Sequence, residues 1–441
     1  MIKKIFIKNS KGDVKNLRKN TFSILSSDIF KKTSEIIENV RINGDKALRE
    51  YTYKFDNVTL DSIKVTDNEI KAAYNLVTER QIRTISEIKE KLIANDVKLL
   101  DHVKKISVLY SNDRRIKKFV QPISSVGCYV PGGLARYPST MIMCAVPAKL
   151  AGVSRIVAIS PAQKNGSVDP LTLVAADICG VNEFYKIGGA QGIAALAFGT
   201  QSIACVDKIV GPGGIFVTTA KLLVSNKVSI DMMAGPTELV IYADSQDKAR
   251  YIALDLVSQA EHSKDTICGL VTSSTRLAYL VEQEINEILK ENIPRKEIVF
   301  ESLDKNGFIA IAENEDVAIE FVNEFSPEHF QIMAKNEMNI AKKVTSAGLI
   351  LIGENTPSSV SDYCLGSNHV LPTMGFGKSR ASLSVLDFIR IATIVKATKE
   401  DLKKIEPFIN MITEKEGLIN HYEALKERIK GNQKLSNQKK G

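Results

Sequence analysis

Val126-Gly127-Cys128-Tyr129-Val130 reads as a β-strand, and Pro131-Gly132-Gly133 directly after it reads as a turn. The run Thr140–Gly152 that follows is Ala-rich and helical, with Pro147 inside it as a site for a kink. The pattern then repeats. Arg155–Ser160 is a strand and Leu171–Cys179 a helix; Phe184–Ile187 is a strand and Gly192–Phe198 a helix. Lys208–Val210 is a short strand before Gly211-Pro212-Gly213-Gly214, with a helix at Val217–Val224. Strands that alternate with helical crossovers argue for a parallel sheet.

Working outward, a second series of the same kind follows. Strands are expected at Leu239–Tyr242, Cys268–Thr272, Ile298–Phe300, Phe308–Ile311, Phe330–Met333 and Leu349–Ile352. Helices are expected at Gln246–His262, Ala278–Leu289, Asp316–Asn323 and Asn339–Thr345. Residues 1–120 read mainly as helix, with apolar spacings of three and four over Ile29–Tyr53 and Asp67–Leu100. Residues 354–380 form a long irregular stretch, and from Ser384 to about residue 430 the texture is helical again. The fold class is α/β: two Rossmann-like parallel-sheet domains with helical N- and C-terminal tail segments.

The chain has 441 residues, 44% hydrophobic and 25% charged, enough for two or more domains with proper cores. No apolar run is long enough to span a bilayer, and the basic start MIKKIFIKNSKGDVKN lacks a signal-peptide core, so mature protein and no membrane are expected. The six cysteines form no CxxC pair and mostly lie in apolar stretches; a cysteine zinc site is excluded and a reducing, cytoplasmic setting fits. The net charge of +8 is diffuse, and with no tryptophan there is no interleaved stacking groove, so nucleic acid is not an expected partner.

Four of the five histidines fall in the last 180 residues, each near a carboxylate. Acids and imidazoles together can hold a divalent metal or move protons near neutral pH. Gln259 and His262 lie i, i+3 at a helix end and can project toward one point, though a helix-terminal histidine satisfied by its surroundings has the same pattern. Ser326-Pro327-Glu328-His329 is a stiff turn that presents either an acid and an imidazole or two solvated side chains. Asp362 and His369 flank Gly366, which lets the loop bend back; the same loop can also cap its own backbone. Glu416 and His421, at i, i+5 near Gly417, do not pair on one helical face. The glycine turns 130–133, 188–192 and 211–214 can cradle a phosphate, but none matches GxGxxG and tight βα turns use glycine in any case.

Taken together, these segments resemble the histidinol dehydrogenase family from about residue 30 to 425. The resemblance is carried by Gly127-Cys128-Tyr129-Val130-Pro131-Gly132-Gly133, Gly188-Gly189-Ala190-Gln191, Ala234-Gly235-Pro236-Thr237-Glu238, Ser258-Gln259-Ala260-Glu261-His262, Pro327-Glu328-His329 and Gly366-Ser367-Asn368-His369-Val370-Leu371-Pro372-Thr373. It implies oxidation of L-histidinol to L-histidine through L-histidinal, with two NAD reduced per turnover, as the last step of histidine biosynthesis. By resemblance, Gln259, His262, Asp362 and His421 hold one zinc ion per subunit, His329 is the base and Glu328 activates water. Thr237, Gln259, His262, His329, Asp362, Glu416, His421 and His369 are the implied substrate-side positions. Tyr129, Gln191 and Gly214 are the implied NAD contacts, Gly214 standing where the family usually has Asn and Thr237 where Ser is common. The implied homodimer completes each site with the partner's tail.

The expected organisation is an N-terminal tail over 1–28 and a first α/β domain over 29–128 and 239–381 with the zinc and substrate site. A second α/β domain over 129–238 is inserted in it with the NAD contacts, and a C-terminal tail over 382–441 crosses to the partner. The rival activity is a related zinc- and NAD-using dehydrogenase of another small polar alcohol, such as a sulfonated diol. A rival of another class is a zinc-binding interaction protein that has lost its cofactor.

Overall fold

The computed structural model describes residues 2–19, 26–106, 116–132 and 136–431. Gly133, the last residue of the first glycine turn, lies outside them. The chain divides into two units: Met1–Leu100 with Pro122–Ile389, and Asp101–Gln121 with Arg390–Gly441. Among the described residues, no helix is long and apolar enough to cross a membrane.

The strands are β1 (Lys3–Phe6), β2 (Ile116–Pro122), β3 (Ser125–Tyr129), β4 (Arg155–Ile159), β5 (Glu183–Tyr185), β6 (Lys208–Val210), β7 (Ser229–Ile230), β8 (Glu238–Ala243), β9 (Ile267–Thr272), β10 (Phe308–Ile311), β11 (His329–Met333), β12 (Leu349–Ile352) and β13 (Ile389–Val395). The first unit holds two parallel sheets, of order β5-β4-β3-β6-β7 and β1-β10-β9-β8-β11-β12. Helices cover both faces of each, so β3, β8, β9 and β11 are buried along their whole length. That is why they read as continuous apolar runs without polar alternation. Each sheet also reverses strand order once, between β3 and β6 in one and between β8 and β11 in the other. In the five-stranded sheet, Gly127 lacks the Cβ that would press to 2.7 Å of Leu196, so the Gly189–Phe198 helix packs close on β3.

Several expectations change. The N-terminal segment contributes β1, which pairs with β10 from Lys3↔Phe308 to Phe6↔Ile311. The helix expected over Ile29–Tyr53 is two, Ser27–Asn43 and Asp45–Asp56, parted at Gly44 with φ +54. Ile298–Phe300 is helical, inside Lys296–Asn306, because Val299, Ser302 and Leu303 bury one helical face. The β-branched run Ile389–Val395 forms β13, which pairs with β2, where helix was expected. Pro147 does sit within a helix, Pro138–Ala151. All six cysteines are free, and Cys205 and Cys364 are exposed.

Candidate active site

The helix Glu315–Phe325 stops at Ser326, whose φ of +52 reverses the chain, and Pro327 carries it stiffly into Glu328 and the start of β11. Beside this turn, Thr237 leads into Glu238, the first residue of β8. The turn therefore delivers Glu328 and His329, 7% and 2% exposed, against the backbone of its neighbour. Glu328 Oε2 accepts from the Thr237 hydroxyl at 2.5 Å and from the Glu238 N–H at 2.8 Å. His329 Nδ1 lies 3.4 Å from the Glu238 carbonyl, and Nε2 lies 3.2 Å from Asp362 Oδ1. Both ring nitrogens face acceptors, an arrangement that the imidazolium satisfies fully.

Burial pushes the Glu328 carboxyl up to about 7, against the opposing pull of His329, Thr237 and the Glu238 N–H. For His329 burial disfavours the charge, but the Asp362 hydrogen bond and the Glu328 and Asp362 charges outweigh it and raise the pKa to about 9. Asp362 is buried, which works against ionisation. The His329 hydrogen bond and the surrounding histidines prevail and hold its carboxyl below the ordinary range.

Gln259 is 2% exposed near the end of the helix Ala249–Ala260. Its Nε2 donates to the Thr237 hydroxyl at 2.9 Å, and its Oε1 accepts from Ser358 at 3.0 Å. His262 follows just past the helix end, and its N–H bonds the Gln259 carbonyl. The residue is exposed and stands on the cavity wall. The walls around it still hold water back and lower its proton affinity, against the pull of Asp362 and Glu261. At Gly366, φ is +82, and the loop folds back so that His369 Nδ1 donates to the Asp362 carbonyl at 2.7 Å. Its Nε2 then accepts from the Thr140 hydroxyl at 3.2 Å.

Most of these groups surround a cavity of about 470 Å³; Gln259 is not on its wall but buried behind Thr237. Thr237, His262, Glu328, His329, Asp362 and His369 line it, and across it stand Pro131 and the turn Pro212-Gly213-Gly214. The cavity thus meets the amino ends of β8 and β11 on one side and the carboxyl ends of β3 and β6 on the other. A carboxamide oxygen, a neutral imidazole and a carboxylate are donor types that suit a borderline divalent cation. Among the described residues no three His, Cys, Asp or Glu side chains form a metal site by themselves.

The other expected positions differ. Gly214 is on the cavity wall, but Tyr129 and Gln191 are not. They lie buried at the carboxyl edge of the five-stranded sheet, where the Tyr129 hydroxyl accepts the Gly189 N–H and Gln191 Oε1 has no partner among the described residues. Glu416 and His421 belong to the second unit and are exposed. Glu416 ends the helix Lys399–Glu416, Gly417 with φ +72 closes it, and His421 sits in the first turn of Ile419–Lys430. They are on separate helices, which accounts for their poor helical spacing.

The family model for histidinol dehydrogenase matches residues 20–429. The chain belongs to the histidinol dehydrogenase family. It is 41% identical to the histidinol dehydrogenase of Methanocaldococcus jannaschii over 430 residues, 98% of this chain and 99% of that one. It is 43% identical to that of Clostridium acetobutylicum over 405 residues, 92% and 93% of the two chains. The crystal structure of histidinol dehydrogenase from Elizabethkingia anophelis superimposes with a TM-score of 0.86 at 32% identity, covering 97% of this chain and 98% of that one. Within this family scaffold, sequence reasoning overlooked Arg18 as a site neighbour and Glu238 as more than part of a motif. Glu238 stood within a quoted motif, whereas nothing in the polar run around Arg18 marks it.

Proposed function

We propose that the protein oxidises L-histidinol to L-histidine through L-histidinal, reducing two NAD per turnover as the last step of histidine biosynthesis. The observation that carries this is His329 set between two carboxylates, Glu328 from the same turn beside Nδ1 and Asp362 at Nε2, inside a chain of this family. His329 accepts the hydroxyl proton as the alcohol becomes aldehyde, and the acidic neighbours Glu328 and Asp362 strengthen it as a base. Glu328 takes a proton from water as that water adds to the aldehyde carbon. Its pKa near 7 suits a base working near neutral pH. Thr237 and the Glu238 N–H hold one oxygen of Glu328, which leaves the other for water. The aldehyde is reactive, and a walled cavity retains it between the two steps.

Gln259, His262 and Asp362 fit a zinc ion by donor chemistry, with His421 of the partner subunit as the fourth donor in the proposed homodimer. When bound, zinc would hold the substrate's imidazole and amine nitrogens, and NAD would take up the two hydrides. Glu416 suits the substrate ammonium, and His369 steadies the Asp362 backbone. Tyr129, Gln191 and the turn ending at Gly214 are the proposed NAD contacts. The position is supported by the strand-order reversal at β3 and β6 and by Gln191 Oε1, which is unpartnered among the described residues. In this assignment residues 29–128 with 239–381 carry substrate and zinc, residues 129–238 carry NAD, and 382–441 cross to the partner. The free cysteines fit a reducing cytoplasm.

The test is NADH formed per histidinol consumed by zinc-loaded protein. About two supports the four-electron reaction, and about one reduces it to a simple alcohol dehydrogenase. A faster rate on sulfopropanediol than on histidinol would replace the substrate. For the shared site, inactive His262→Ala and His421→Ala chains are co-expressed. Recovered activity in verified heterodimers supports the crossing tail, and no recovery puts His421 in its own subunit's site.

A further inference from the structure

Arg18 caps the N-terminal helix Ser10–Leu17 and is 3% exposed. Its guanidinium forks onto Glu238, with Nη1 to Oε1 at 2.7 Å and Nη2 to Oε2 at 2.8 Å, and Glu238 is fully buried. Nη2 also donates to the Phe325 carbonyl at 2.8 Å, and the guanidinium stands 4.1 Å over the Phe325 ring. Glu238 Oε1 takes a further bond from the Met374 N–H at 2.9 Å. One cation therefore ties together the start of β8, the helix end three residues before Glu328, and the loop that returns beside the cavity.

What this grip controls is set by the Glu238 peptide. Its N–H bonds Glu328, and its carbonyl faces His329 Nδ1. The carboxylate of Glu238 is out of reach of any substrate, so its role lies in where it holds its own backbone. A planar fork that engages two carboxylate oxygens and a carbonyl fixes both the position and the rotation of its partner. We propose that Arg18 is a positioning residue for the reaction. It holds the Glu238 peptide, and through it the water-activating carboxylate and the base, in register, so that the N-terminal segment is part of the active site. This rests on the function proposed above.

The experiment uses full-length zinc-loaded enzyme and two variants. Arg18→Lys keeps the charge but cannot bridge both oxygens and the carbonyl. The double variant Arg18→Met with Glu238→Gln removes the buried pair together, so that no lone charge remains inside and folding is preserved. Both are expected to bind histidinol and NAD with KM close to the parent, while kcat falls roughly tenfold to a hundredfold, the scale of a small misplacement of catalytic groups. NADH yield should also drop below two, because aldehyde escapes before a misplaced Glu328 can activate water. An unchanged kcat in a folded variant overturns the inference. So does a loss of kcat that tracks a fall in Tm and a rise in both KM values, since that marks a structural role alone. If the parent itself makes no NADH from histidinol, the proposed function fails. The positioning role is then judged from a crystal structure of Arg18→Lys. There, a Glu238 N to Glu328 Oε2 distance unchanged from 2.8 Å sinks it, and a lengthened one sustains it.

Discussion

The two sheets present opposite ends to the same cavity. The five-stranded sheet offers the carboxyl ends of β3 and β6, where α/β proteins ordinarily bind ligands at a reversal of strand order. The six-stranded sheet offers the amino ends of β8 and β11, with Glu238 and His329 as their first residues. The two edges are finished differently. At the amino edge Glu328, His329, Asp362 and Gln259 are tied into one set of side-chain and backbone hydrogen bonds. At the carboxyl edge, among the described residues, Gly214 has no neighbouring atom within 4 Å of where a Cβ would stand, and Gln191 Oε1 lacks a partner. Proton chemistry needs groups fixed beforehand, so its edge is complete in the protein alone. An edge that receives a large anionic ligand can leave polar groups for that ligand to satisfy.

The amino edge gives the largest expected effect. His329→Asn should lower kcat by about a thousandfold with NAD affinity retained, the scale of a lost general base; an equal loss of NAD binding would erase the division between the edges. Glu328→Gln should stop most turnovers at the aldehyde. It also tests the electrostatics. The negative Glu328 raises the proton affinity of His329, and the base works only when neutral. Removing that charge should move the rising limb of the first-oxidation pH profile to lower pH, and a shift to higher pH would reverse the assignment of base.

At the carboxyl edge, Lys221 and Asp231 form a buried ion pair, 1% and 0% exposed, that clamps Gly211 from both sides. Lys221 donates to its carbonyl and Asp231 accepts its N–H. Lys221→Met leaves Asp231 buried without its partner and should cost about 3–5 kcal/mol in urea unfolding. Little change would mean that this turn is as adaptable as the unfilled space at Gly214 implies. Gly214→Asn should lower the KM for NAD about threefold to tenfold, the worth of one added hydrogen bond, with kcat unchanged. The backbone there, φ −64, accepts any residue. A higher KM would show that the open space is needed.

Asp96, outside both edges, serves as a control. Burial, with Asp387 adding to it, pushes its carboxyl up to about 6, although the Val385 N–H opposes the shift. The folded protein then binds a proton more tightly than the unfolded chain. The resulting penalty is absent below the unfolded value, grows as pH rises from about 4 to about 6, and is complete above that. Asp96→Asn should therefore gain Tm over the parent at pH 7.5 and lose that gain at pH 4.5, with activity untouched. A gain that is the same at both pH values would exclude titration as its cause.

Both sheets were legible because strands buried on both faces announce themselves as short apolar blocks between glycine turns. β1 and β13 did not, whereas the edge strands β5 and β12 did. β1 and β13 lie in polar, lysine-bearing context, and their pairing depends on partners far along the chain. Ile298–Phe300 misled because three apolar residues in a row carry no period; the burial of Ser302 and Leu303 decides it. In the site, Asp362 with His369 and Glu328 with His329 were visible as local pairs. Thr237 was visible only by resemblance, since its hydroxyl matters through Gln259 and Glu328, 22 and 91 residues away. Arg18 was silent, as a lone arginine near the N-terminus looks the same whether it meets water or a buried carboxylate.

The edge strand β1 adds a consequence in time. Lys3 pairs with Phe308, so β1 must wait for about three hundred further residues to be made before its neighbour exists. Until then residues 3–6 and the helix behind them have no sheet to join. A nascent chain can assemble the five-stranded sheet early, but the six-stranded sheet closes only after residues 308–311 have been made and the chain's earlier segment is recaptured as its edge.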